Sequence, residues 1–248
     1  MGMSAALAHP GIALALLCAA MALAAAVVYR VAGLDRPWSV PAAAVRGAVQ
    51  LAAVSLVLAA ALRHLWSAVV VLLVMFVAAA FTAARRSRAG RSGVWLTAAL
   101  ATGMAAVLPP MLLSGVVPLE GVALIPIGGI VLGNAMTSTS LAAKRALDAI
   151  DQRRGEVEAA LSLGLSERDS RMLVVHDSAA DALLPGLDQT RTVGLVTLPG
   201  AFVGVLLASG SAAQAGAVQI LVLVGVLLAQ TCAVAVTMEL VARTLVRR

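Results

Sequence analysis

Seven apolar blocks interrupt this sequence, at 10–31, 42–62, 65–84, 94–115, 119–143, 192–211 and 214–240. About twenty apolar residues carry an α-helix across a ~30 Å hydrocarbon core. In lipid, backbone polar groups are satisfied only inside helices or closed barrels. The blocks show no period-two alternation, so the barrel is excluded. An all-α polytopic membrane protein with about seven transmembrane helices is expected. Composition agrees: 61% of the chain is hydrophobic and 12% charged, against roughly 25% charged in soluble domains.

The first block reads as a span and not as a cleaved signal. No Lys or Arg precedes it, it is too long for an h-region, and Arg30 and Arg36 follow it. Cys18 and Cys232 lie in different blocks and act as small apolar fillers.

The net charge of +6 is accounted for by topology. With a cytoplasmic C-terminus, the inside segments are 29–41 (taken with Arg46), 84–93, 144–191 and the tail after Leu240. They hold seventeen of the eighteen Lys and Arg residues, Arg63 being the exception. Positive charge is retained inside, which predicts N-out, C-in. No nucleic-acid partner is needed to explain the basic balance. Arg85, Arg86, Arg88 and Arg91 form a knot between spans 3 and 4, a topology anchor that can also touch anionic lipid headgroups.

Spans 1–5 occupy 1–143, a polar insert 144–191, and spans 6–7 with a basic tail 192–248. Pro109, Pro110, Pro126 and Pro199 are expected to kink or interrupt their helices as hinges, where neighbours or a cavity satisfy the freed carbonyls. Gly129-x-x-x-Gly133 and Gly200-x-x-x-Gly204 suit close helix approach or a substrate route. Span 5 should continue as helix through LAAKRALDAIDQRR. A short helix, Glu156–Leu163, should end at Gly164. Ser166 with Asp169 then starts a helix that runs to Leu184 and stops at Pro185-Gly186. On it Met172, Val175, Ala179, Ala182 and Leu183 share an apolar face. Glu167, Ser170, Arg171, Asp177, Ser178 and Asp181 lie opposite, with Glu167–Arg171 an i,i+4 pair.

Within the insert, EAALSLG (158–164) carries the most specific pattern. A short E-A-A-x-x-x-G helix between two spans resembles the element by which ABC importer permeases dock a separate ATPase. Small residues let the helix lie in a groove, a carboxylate offers charge-assisted bonds, and the glycine turns the chain. The importer motif continues to a Leu-Pro nearer the glycine; here Leu184-Pro185 comes twenty residues after it. LGLSERDSRMLVVHDS also looks like the corresponding stretch of permeases of the MacB and FtsX type. GNAM (133–136), LSLG (161–164) and TVGLVTLPG (192–200) resemble the FetB-like family of ABC permeases, over roughly 120–240. Members of that family are described as bacterial iron exporters, with plant half-transporters linked to aluminium tolerance. Ala201-Phe202 departs from the Met-rich sequence expected after Pro-Gly, so the soft-metal ligand set is missing there.

The resemblance implies a bacterial inner-membrane permease, a homodimer moved by separate ATPase subunits that hold the ATP and Mg. Docking would fall on the 156–184 insert, at Glu158, Ala159, Ala160, Gly164, Ser166, Arg168 and Arg171. The cargo implied is iron or another metal; a non-metal such as a nucleotide sugar suits the same spans. Independently, the only lysine is Lys144, in LAAKRAL, and no GxxxxGK[ST] occurs. No cofactor is expected in this chain, and it is read as a transport subunit and not an enzyme. An ion-coupled transporter would want a carboxylate at membrane depth, and Glu239 lies near a span end.

For the path itself, Asn134, Met136, Thr137 and Ser138 in span 5 and Gln219, Gln230 and Thr237 on one face of span 7 are candidates. Interhelical hydrogen bonding is the slightly better account of Thr137 and Ser138, and packing the better account of Met136. For Asn134, Gln219, Gln230 and Thr237 the two readings are nearly even. Glu239 can pair with Arg243. Glu120, before span 5, is a surface carboxylate by default and a metal-release ligand at its sharpest. His9, His64 and His176 have no partners at zinc-like spacing, Asp177 pointing elsewhere. Asp148 and Asp151 form a solvated helix face.

Overall fold

The computed structural model describes residues 11–34, 36–61 and 64–248. His9, Arg63 and the side chain of Ser178 lie outside the described residues. Among the described residues ten α-helices are formed: α1 Ile12–Val31, α2 Ser39–Ala61, α3 Leu65–Ser87, α4 Leu96–Leu113, α5 Gly121–Gln152, α6 Arg154–Ser162, α7 Glu167–Ala180, α8 Leu184–Thr192, α9 Gly200–Ser209 and α10 Ala212–Ala242. A 3-10 turn, Gly90–Trp95, leads into α4. Five of the described helices are long and apolar enough to cross a bilayer: α1, α3, α4 with its leading turn, α5 and α10. The protein is an all-α, multi-pass membrane protein.

The sixth apolar block differs from expectation. Residues 193–199 form a turn closed by the Gly194 N–H on the Thr197 carbonyl (2.9 Å), and only Gly200–Ser209 is helical. Ten residues rise ~15 Å, half of a ~30 Å core. The cause is local: Gly194 adopts φ +81°, and Pro199 sits at the N-cap of α9. Elsewhere the prolines do not interrupt. α4 runs through Pro109 and Pro110, and α5 through Pro126.

Contacts divide the chain into two compact units, 1–61 and 62–248. In the first, α1 and α2 touch each other, and no residue of α1 is buried. In the second, α5 and α10 are central. Val131, Leu132 and Ala135 of α5 meet Val222, Val226 and Ala229 of α10, with Ala79 of α3 and Leu100 and Val107 of α4 in the same cluster. Close approach depends on Gly103 and Gly225, not on the glycine pairs picked from spacing. A Cβ on Gly103 would lie 2.7 Å from the Ala229 carbonyl oxygen, and one on Gly225 2.5 Å from Met111 Cε. Gly133, Gly200 and Gly204 would meet nothing within 4 Å; of the four expected glycines only Gly129 approaches a neighbour, Met75.

The helices expected over the insert are present, with shifted ends. α5 is unbroken for 32 residues. Its extension buries Ala142, Ala143, Ala146 and Leu147 against Val175 and Ala179 of α7 and Val234 and Val241 of α10. α7 ends at Ala180, a 3-10 turn spans Asp181–Leu183, and Pro185 opens α8 in place of stopping a helix. A first-turn proline needs no N–H partner, so it starts a helix well. Ser170, assigned to the polar side of α7, is fully buried, as is the unforeseen Val174. α7 packs on α5, α6 and α10 together, which widens its buried face beyond one stripe.

Candidate docking hook and transport groove

The turn between α6 and α7 is defined by two caps. Gly164 takes φ +89°; its N–H bonds the Leu161 carbonyl (2.9 Å) and the Leu165 N–H the Ala160 carbonyl (3.2 Å). This pairing satisfies the last carbonyls of α6 and needs glycine at the left-handed position. Two residues on, the Ser166 hydroxyl accepts the Asp169 N–H (3.1 Å) and donates to the Asp169 carboxylate (2.7 Å). Val157 packs with Ala149 of α5 and Val174 of α7, fixing α6 from beneath. The result is a rigid hook whose outward residues are Glu158, Ala159, Leu161, Leu163 and Gly164, with Leu163 82% exposed.

Not every residue assigned to docking lies on that face. Ala160 is buried. Arg168 binds Glu239 of α10 through two nitrogens (2.8 and 2.7 Å) and Asp169 through a third (2.7 Å). Glu239 also receives Arg243, as spacing suggested. Arg171 pairs with Glu167 at 3.0 Å, and Glu158 with Arg154 at 3.0 Å. The hydrogen bonds that Arg168 donates to Glu239 and then Asp169 raise its pKa. Bonds from Ser166 and then Arg168 hold the Asp169 carboxyl below its ordinary value, and Arg153 does the same for Glu156. Asp148 and Asp151 are not merely solvated: both bind the Arg248 guanidinium. His176 Nδ1 lies 3.3 Å from Asp177 Oδ1, so the adjacent carboxylate does reach it. Among the described residues no group of three or more His, Cys, Asp or Glu converges.

A groove runs between α5, α9 and α10. Its wider part, about 710 Å³, is walled by Glu120, Pro126 and Ile127 of the α5 start, Gly200 and Gly204 of α9, and Gln214 and Val218 of α10. A second part, about 390 Å³, holds Asn134, Gln189, Pro199 and Gln219. The two share Ile130, Gly200, Ala201 and Val222. The unpartnered glycines of α9 are thus groove wall. Asn134 donates to its own Ile130 carbonyl (2.9 Å). Gln219 Oε1 accepts the Phe202 N–H (3.1 Å), satisfying a first-turn donor of α9.

Five path candidates are elsewhere. Met136 packs beside the core, Thr137 donates to Gly133, and Ser138 is buried. Gln230 is buried under Gly186, where a Cβ would come 2.1 Å from its Oε1. Thr237 donates to Ala233. Of the hinge candidates, Pro126 and Pro199 line the groove, whereas Pro109 and Pro110 do not. Gln189 and Gln214 were missed, since a glutamine in a polar insert or at a span's edge gives no contrast with its neighbours.

The model of the uncharacterised family UPF0014 matches residues 12–246. The chain belongs to UPF0014. It is 30% identical over 195 residues to the "Probable iron export permease protein FetB" of Escherichia coli, covering 76% of this chain and 72% of that one. Against the "UPF0014 membrane protein STAR2" of rice it is 34% identical over 152 residues, 61% of this chain and 53% of the relative. "Protein ALUMINUM SENSITIVE 3" of Arabidopsis is matched to the same 34% over 56% of its length. The chain therefore spans little more than half of these two plant relatives. No solved structure matches. The family resemblance carried by GNAM, LSLG and TVGLVTLPG is upheld.

Proposed function

We propose that this UPF0014 protein is the membrane subunit of an ABC transporter in the bacterial inner membrane, exporting iron or another metal. A separate ATPase, holding ATP and Mg, docks on the 156–184 insert. The observation that carries the reading is the hook: an exposed Glu158, Ala159, Leu161 and Leu163 on a turn fixed by caps at Gly164 and Ser166. Such a surface transmits displacement without deforming. Arg168 passes it to α10 through Glu239, and α10 forms one wall of the groove. Rigid-body movement of α9 and α10 against α5 then opens the groove alternately to either side. N-out, C-in orientation puts the hook in the cytoplasm, the positive-inside count supporting it. The permease acts as a homodimer, as the resemblance to ABC permeases implies.

The metal cargo is supported by the printed name of the Escherichia coli relative. Glu120 stands at one end of the groove as the carboxylate for release. A non-metal cargo is a second reading, favoured by the amides Asn134, Gln189, Gln214 and Gln219 in an otherwise apolar groove. Co-purification with the ATPase encoded nearby tests the docking. Glu158→Arg and Gly164→Val should each abolish it; stoichiometric ATPase and intact transport in both variants would overturn the reading. Cellular iron in a deletion strain under iron overload should rise, and unchanged iron would remove the metal without removing the permease.

A further inference from the structure

Arg85, Arg86, Arg88 and Arg91 fall within seven residues where α3 gives way to the 3-10 turn. All six arginines of the insert find a carboxylate. Among the described residues, none of these four does. Like charges packed this densely repel unless a counter-charge comes from outside. The backbone presents them: Arg88 closes α3 at φ 58°, the left-handed position that glycine usually takes. The Arg85 guanidinium lies 5.8 Å from the Phe81 ring centroid, which holds the cation at the edge of an apolar surface.

Beside them, α3 and the start of α4 enclose a notch of about 760 Å³, walled by Phe76, Val77, Ala80, Phe81 and Val94, with Arg85, Arg88 and Arg91 at the turn. Phe76 to Arg85 covers ~14 Å of helix, close to one leaflet of a ~30 Å core. The turn belongs to the same end of the bundle as the insert, because Ala89 and Leu96 pack with Ala142, Ala146 and Val175.

We propose that this notch is a binding site for one anionic phospholipid. Its headgroup phosphate lies among Arg85, Arg88 and Arg91, and an acyl chain runs along Val77, Phe81 and Val94. The apolar wall selects a lipid over free phosphate, and the unpaired arginines select an anionic headgroup over a zwitterionic one. The site does not rest on the transport reading. Bound there, the lipid pins the hook end of the bundle at the membrane surface.

Native mass spectrometry of the detergent-purified full chain tests it, with added phosphatidylglycerol, phosphatidylcholine or inorganic phosphate. Wild type should retain phosphatidylglycerol in preference to phosphatidylcholine, and excess phosphate should not displace it. Replacing Arg85, Arg88 and Arg91 by Gln should weaken retention about fivefold per arginine, whereas the same change at Arg153, Arg154 and Arg191 should not. Val77→Trp, at an exposed position, fills the notch with the charges intact and should also weaken retention. Equal retention of the two lipids by wild type, equal loss in both triple variants, or displacement by phosphate alone would each overturn the site. So would a notch triple that keeps its lipid and instead loses a co-purifying ATPase, marking the knot as a protein contact.

Discussion

The hook and the groove are built on opposite principles. In the hook, the turn between α6 and α7 is capped on both sides and nearly every charge is paired. In the groove, the walls are glycine, alanine and branched apolar residues, with Gly200 and Gly204 facing open space. Under the proposed function, one region would receive force and the other would change shape. The difference teaches where substitutions should harm folding and where they should harm only movement.

The largest contrast lies between glycines. Gly103→Val drives a side chain into the Ala229 backbone, where no rotamer gives relief, and should cost about 3 kcal/mol through overpacking. A lowered thermal midpoint in detergent, with α4 and α10 separating, is the expected result. Gly204→Leu has space and gains helix propensity of about 0.8 kcal/mol, so stability should hold or rise while transport falls. Normal flux in Gly204→Leu would mean that the groove is not the path.

Those glycines also mark the limit of what the sequence made legible. Apolar block length identified a membrane protein because the bilayer imposes one length on every span. It failed at 192–211, where a positive-φ Gly194 and Pro199 break the block without making it less apolar. Caps were readable, since Gly164 and Ser166 act on near neighbours and the rule is local. Long-range ties were not: Arg168 and Glu239 are 71 residues apart, and Arg248 and Asp148 are 100 apart. Only packing brings them together. For the same reason the spacing of Gly200 and Gly204 suggested helix contact, when the structure uses them as open wall.

An intermediate effect is expected at the link between the two regions. Arg168→Gln removes the paired bonds to Glu239 but leaves Glu158, Leu163 and Gly164 as they are. The ATPase should still bind and hydrolyse ATP, while transport per ATP drops several-fold. Glu239→Gln should behave alike, and the double variant should be no worse than either single one, because both break the same contact. Additive losses would show that hook and groove communicate by another route.

The smallest effect is acid sensitivity confined to the hook. Glu156 and Asp169 have pKa values held low by Arg153 and by Ser166 with Arg168. A carboxylate depressed in the folded state contributes stability that is present above its unfolded pKa of about 4 and is lost as pH falls through the folded value. Between pH 7 and 5 the amides of α6 and α7 should therefore exchange hydrogen at a constant protection, and below about pH 4 they should loosen. Both groups are exposed, so screening makes the change modest. α9, Gly200–Ser209, carries no titratable side chain and serves as the internal reference. Asp169→Asn should flatten the acid response of the α7 start while Ser166 continues to cap it. If α9 loosened in parallel with α6 and α7, the hook would not be a separately stabilised element, and its stiffness relative to the groove would need another cause.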